Sequence, residues 1–146
     1  MARRRVPYVA QMHQSECGLC CLAMLSAYYQ KEVSLYSLRE RADIGPNGIT
    51  LLQLKKIAES LGFDVKAYRI ESINQFKQVT LPAILHWNHE HFVVLEKIDR
   101  NNAHIVDPPF GRIKLSLKNF SEQFTGFLMT VDLTEQFDAE KSPNIS

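Results

Sequence analysis

Hydrophobic residues occupy nearly every position from 19 to 29, and Leu19, Cys20, Cys21, Leu22, Ala23, Met24 and Leu25 leave no polar face. A helix of that composition has no side to offer to water, so the pattern predicts a central helix buried on most sides, with Cys17 in its first turn. A second helix is predicted to start at Ser34. A third starts at Thr50, where Thr50-Leu51-Leu52-Gln53 matches the reciprocal capping box and Gly62 supplies the stop. From Phe63 the character changes. Val65, Ala67, Ile84, Val93-Val94-Leu95, Ile105-Val106 and Ile113-Leu115-Leu117 lie in short β-prone stretches between turn residues, and Arg100-Asn101-Asn102 joins two of them as a hairpin. Helices first and antiparallel strands second give an α+β fold, with N-terminal helices and a buried central helix packed on a C-terminal antiparallel β-sheet.

Composition narrows this to one domain. The chain has 146 residues and is 45% hydrophobic, enough for a real core. The stretch 138–146 is polar, with nothing to bury, and reads as a linker; the expected division is a folded domain over 1–137 and a linker over 138–146 leading to a transmembrane domain. Lysine and arginine total 17 against 16 acidic residues, so the net charge of +1 gives no reason to expect nucleic acid as a partner. Arg3-Arg4-Arg5 reads as a solvated end. Val6-Pro7-Tyr8-Val9-Ala10 leads into polar residues without forming the apolar segment of a secretory signal, and the longest apolar run is too short to span a bilayer. The expectation is a soluble, intracellular domain. The three cysteines all lie between Cys17 and Cys21, where they cannot staple a fold, and an odd count suits a reducing compartment and leaves at least one free thiol.

A thiol attacks a carbonyl as the thiolate, so a catalytic cysteine needs a helix N-terminus, a neighbouring imidazolium, or both. Cys17 has the first by position. The base must be a histidine from elsewhere, held by a carboxylate or amide on its other ring nitrogen. His91 opens the strand 91–95, and Asp107 closes the next strand, 103–107, just before Pro108-Pro109 interrupts pairing. A hairpin between them brings both to one end of the sheet, with Asp107 expected to accept from His91 Nδ1. The register is not fixed by the sequence, and a slip of one residue puts Asp107 on the other face. Gln11, six positions before Cys17, could offer its side-chain amide to the oxygen of a tetrahedral intermediate, completing an oxyanion hole with the Cys17 N–H.

The run Gln11-Met12-His13-Gln14-Ser15-Glu16-Cys17-Gly18, then Cys21-Leu22-Ala23-Met24, His91-Phe92-Val93-Val94-Leu95 and Asp107-Pro108, resembles the double-glycine leader peptidase domains of bacterial peptidase-containing ABC exporters, which process bacteriocins and lanthipeptides. The resemblance implies a papain-like fold, a triad of Cys17, His91 and Asp107 with Gln11 at the oxyanion, and cutting behind Gly-Gly or Gly-Ala in a precursor peptide with an amphipathic leader helix. It further implies a parent exporter with transmembrane and ATPase domains, placing this domain at the cytoplasmic face of the membrane. Cys17-Gly18-Leu19-Cys20-Cys21 echoes the papain signature, but His91 follows at roughly half the papain spacing. The family often has Asp where this chain has Glu16.

Other readings compete with this one. Cys17-Gly18-Leu19-Cys20 is also a Cys-x-x-Cys, but it does not follow a strand, and His86, His89 and His91 lack a zinc-ligand spacing, so neither a metal nor another cofactor is expected. Cys20 and Cys21 are expected in the core. His13, His86, His89 and His104 are expected as surface or satisfied histidines, and Trp87 either walls a substrate groove or is an ordinary core aromatic. Gly45-Pro46-Asn47-Gly48 reads as a turn between helices. The competing function is a docking module that holds a leader without cutting it. The joint presence of Cys17, His91, Asp107 and Gln11 favours the enzyme.

Overall fold

The computed structural model describes residues 5–11, 13–42, 45 and 48–134, except the side chain of residue 14. A short 3-10 turn over Gln14–Glu16 runs directly into α1 (Cys17–Tyr28), whose residues from Cys17 through Ser26 are buried, as expected of a helix with no polar face. Helix α2 (Leu35–Arg41) starts at Ser34, whose hydroxyl accepts the Ser37 N–H at 3.0 Å. Helix α3 (Leu51–Ser60) opens with the expected reciprocal box: Thr50 Oγ1 accepts from Gln53 N–H at 3.1 Å and Gln53 Oε1 accepts from Thr50 N–H at 2.8 Å. Gly62, at φ +100°, ends it. No helix among the described residues is long and apolar enough to cross a membrane.

The strands are β1 (Phe63–Arg69), β2 (Ala83–Trp87), β3 (His91–Ile98), β4 (Asn102–Asp107), β5 (Gly111–Ser116) and β6 (Phe124–Leu133), with α4 (Leu117–Gln123) before the last. They form one antiparallel sheet in the order β1-β6-β2-β3-β4-β5. Alternate residues serve two cores. Ile84, Phe92, Val94, Val106 and Met129 pack under α1 and α3, while Leu85, Val93, Leu95, Ile105 and Leu128 pack under α4 and the 3-10 segment Ile73–Gln78.

Three sequence expectations change here. Leu117 is not the end of a strand but the start of α4, where Ser116 Oγ accepts the Asn119 N–H. The last strand, β6, escaped the β-prone pattern and yet lies inside the sheet between β1 and β2. The β3–β4 connection is also shifted: Asn102 already belongs to β4, and the turn is held by the Asp99 carboxylate, which accepts from the N–H groups of Asn101 and Asn102 at 2.9 and 2.8 Å. In the turn before α3, Gly48 N–H donates to Gly45 O at 3.1 Å; Pro46 and Asn47 lie outside the described residues, as do Arg3-Arg4 and the linker 138–146.

Candidate active site

Cys17 is the first residue of α1, so its thiol stands at the positive end of a buried helix dipole. The approach of that first turn to the sheet is close. A Cβ on Gly18 would lie 2.7 Å from Ile49 Cγ2 and 3.2 Å from Phe92 Cδ2, so only glycine lets α1 settle this near to β3. Phe92 is the neighbour of His91, and the same contact that seats the helix of Cys17 therefore seats the strand of His91.

His91 and Asp107 meet through the β3–β4 register. Near the site Val94 pairs with Val106 and Leu95 with Ile105; nearer the hairpin Lys97 pairs with His104 and Ile98 with Ala103, so one extra residue, Glu96, is taken up as a bulge. Extending the site-side register sets Val93 opposite Asp107, with His91 one same-face step beyond. Without the bulge Val94 would face Asp107, and the two side chains would point to opposite faces. With it, His91 Nε2–H donates to Asp107 Oδ1 at 2.6 Å, and Asp107 is buried. The nitrogen differs from the expected Nδ1. With Nε2 engaged by the carboxylate, Nδ1 is left free, and Cys17 is close enough to raise the pKa of the ring. Burial pulls the His91 pKa down, but the Asp107 and Cys17 contacts outweigh it and raise it to about 9. The ring therefore carries a proton at neutral pH.

Gln11 reaches the same corner from the N-terminal segment. Its backbone N–H donates to Pro108 O at 3.4 Å, the Tyr8 hydroxyl donates to the same oxygen at 2.5 Å, and Val6 N–H donates to the bulge carboxylate Glu96 Oε2 at 2.7 Å. The buried Gln11 Oε1 has no hydrogen-bond partner among the described residues. Glu16, which sequence reasoning left without a role, is a buried carboxylate that accepts from the Arg39 guanidinium of α2 and from the His13 N–H, tying the turn before Cys17 to the helix behind it. No sequence spacing announces that pair, because Arg39 belongs to another element.

The remaining candidates take structural places. Cys20 and Cys21 are fully buried, and burial pushes the Cys20 thiol up to about 12 and the Cys21 thiol well up. Trp87 is a core aromatic beside Phe120 rather than a groove wall. His86 bonds Thr125 at 2.9 Å, His104 faces Asp99 at 3.5 Å, and His13 is exposed. Beside the site a cleft of about 400 Å³ opens between Ile49, Leu51, His86, His89 and Phe127. Cys17 itself is only 5% exposed.

The family model described as "Peptidase C39 family" matches residues 5–136. In Escherichia coli, the probable microcin-H47 secretion/processing ATP-binding protein is 38% identical and the colicin V secretion/processing ATP-binding protein 36% identical, each over 94% of this chain. This chain spans 20% of the length of either relative. Among solved structures, a double glycine motif protease from an AMS/PCAT transporter, crystallised with the leader peptide, superimposes with a TM-score of 0.84 at 37% identity, covering 90% of this chain and 96% of that one.

Proposed function

The chain belongs to the peptidase C39 family, as a cysteine peptidase domain of papain-like fold, and on that footing we propose that it removes the leader of a precursor peptide by cutting behind Gly-Gly or Gly-Ala. The observation that carries the reading is the linked set at the start of α1: Cys17 at the helix N-terminus beside the His91 ring, which is itself held at 2.6 Å by Asp107.

In this reading His91 is already an imidazolium, and the Cys17 thiolate beside it adds to the carbonyl carbon of the second small residue. The oxyanion takes hydrogen bonds from the Cys17 N–H and from the Gln11 side-chain amide, whose carbonyl oxygen has no partner among the described residues. His91 then gives its proton to the departing amine, the C–N bond breaks, and water releases the leader from the thioester with His91 as base. Asp107 stabilises the imidazolium throughout. No step calls for a metal or cofactor.

The buried sulfur supports the choice of substrate. A pair of residues with almost no side chain passes an opening that excludes larger ones, while the adjacent apolar cleft offers room for anchors of a leader helix. The relatives' names contain secretion and processing together, which supports a parent exporter with transmembrane and ATPase domains and a site facing the cytoplasm, with the linker 138–146 leading onward. The test is mass spectrometry of a double-glycine leader peptide incubated with the domain. A product ending at the second glycine is expected. Tight binding of the leader by the wild type with no cleavage would instead identify a docking module.

A further inference from the structure

The connection from β4 to β5 is stiff and carries an aromatic ring into water. Asp107 pairs with Gly111 across it, Phe110 N–H donates back to Asp107 O at 3.0 Å, and Gly111 takes φ +95°, which other residues rarely adopt. Pro108 and Pro109 fix two further φ angles, and the Pro108 carbonyl is clamped by the Tyr8 hydroxyl and the Gln11 N–H. On this rigid mount Phe110 is 79% exposed, three residues from Asp107, and Tyr8, bonded to the Pro108 carbonyl of the same turn, is 42% exposed. A ring so placed contributes nothing to either core. Because its backbone is already ordered, a ligand that covers it incurs little of the usual entropic cost.

Sheet order fixes which side of the reaction it serves. β3, whose first residue is His91, lies between β2 and β4. The apolar cleft is lined by the turn leading into α3 together with β2, β6 and the β2–β3 turn, so its sheet residues lie on the β2 side of His91; Phe110 lies on the β4 side, at the same end of the sheet. A peptide bond held at Cys17 has two flanks, and a chain with one flank in the cleft emerges on the other side toward the β4–β5 turn. The cationic group nearest in sequence, Arg112, is engaged by Glu96 and by the Val6 carbonyl, which leaves the turn an apolar rather than an ionic contact.

We propose that Phe110, with Tyr8, forms the contact surface for the residues just after the scissile bond, favouring an apolar side chain within the first few positions of the released peptide. This rests on the leader-cutting reading above, which gives the cleft to the leader. A small exposed contact also suits the segment that must leave after the C–N bond breaks.

The experiment uses three synthetic substrates with one leader and one glycine pair. In the first a fluorogenic amide follows the pair directly; in the other two a short peptide follows, with either Leu or Ser at its second position. For the wild type, KM for the Leu substrate is expected to be about fivefold below that for Ser, the effect of covering about 40 Å² of apolar surface. Phe110→Ala should erase that preference and leave the fluorogenic substrate unchanged, and Phe110→Leu should restore part of it. Equal loss on all three substrates would make Phe110 a support of the Asp107 turn and overturn the proposal, as would a wild type indifferent to Leu or Ser. Failure of the wild type to cut any of the three would instead remove the leader-cutting reading itself, and this proposal with it.

Discussion

His91 and Asp107 are set by a backbone ladder, whereas Cys17 and Gln11 are set by separate contacts outside any ladder. On the strand side, the β3–β4 pairs on either side of the Glu96 bulge fix both groups, and their 2.6 Å bond follows from register. On the N-terminal side, the segment before α1 has no ladder. It is held by Val6 to Glu96, Tyr8 and Gln11 to Pro108, Glu16 to Arg39, and the bare Cα of Gly18 against Ile49 and Phe92. A site half ladder and half strapping should respond differently to damage on its two sides. Strand-side geometry should be lost abruptly when register changes. N-terminal geometry should be lost by degrees, one contact at a time.

The largest effects test whether the two sides form one unit. Cys17→Ala and His91→Ala should each lower kcat by at least about 10⁴-fold, and the double variant should be hardly worse than either, because both act in the same ion pair. Additive losses in single-turnover assays would mean that the sulfur and the ring do not work together. Nearly as severe should be insertion of one alanine between His91 and Phe92, which keeps the β3–β4 pairs but carries His91 to the other face of β3, away from Asp107. Deletion of Glu96 should be far milder, because it removes the one extra residue, lets the pairs on either side run on as an unbroken ladder and costs chiefly the Val6 anchor. An insertion variant as active as the deletion would show that register does not set the pair.

Gln11→Ala should lower kcat about 100-fold with little change in KM, as for a donor engaged only in the transition state. A change confined to KM would move Gln11 from the oxyanion to substrate binding. A subtler probe is the titration of His91, followed by NMR of its ring. Its pKa is raised above the unfolded value of 6.5 to about 9, so the stability it contributes is fully present below pH 6.5 and is lost as pH rises through about 9. Turnover should fall over the same alkaline range as the ring loses the proton owed to the leaving amine. Because Cys17 and Asp107 both raise the value, Cys17→Ala and Asp107→Asn should each move the midpoint down, and an unmoved midpoint in either would break the linked set. The smallest change is Gly18→Ala, where the new methyl meets Ile49 and Phe92; a loss of about 1–2 kcal/mol in denaturant unfolding is expected, with a few-fold drop in kcat as β3 shifts beneath His91.

What the sequence determined by itself was most of what depends on neighbours along the chain. The buried α1 is written in an unbroken apolar run, α2 and α3 in their Ser34 and Thr50 caps and the Gly62 stop, and the places of Cys17, His91 and Asp107 at element ends in the turn and strand signals beside them. The proposed chemistry was read from those three residue types in that order. What only the tertiary structure decided depends on residues far apart in sequence. The Glu96 bulge, which puts His91 and Asp107 on one face, is a count of one residue in a pairing that local propensity cannot see. The use of Nε2 rather than Nδ1 is a matter of ring orientation, which no sequence pattern carries. Likewise β6, last in the chain, is placed inside the sheet by its pairing to both β1 and β2, Trp87 is drawn into the core by Phe120, and Glu16 finds its cation on α2. Caps and periodicity act over three or four residues, whereas register, ring orientation and buried ion pairs are settled when distant elements are brought into contact.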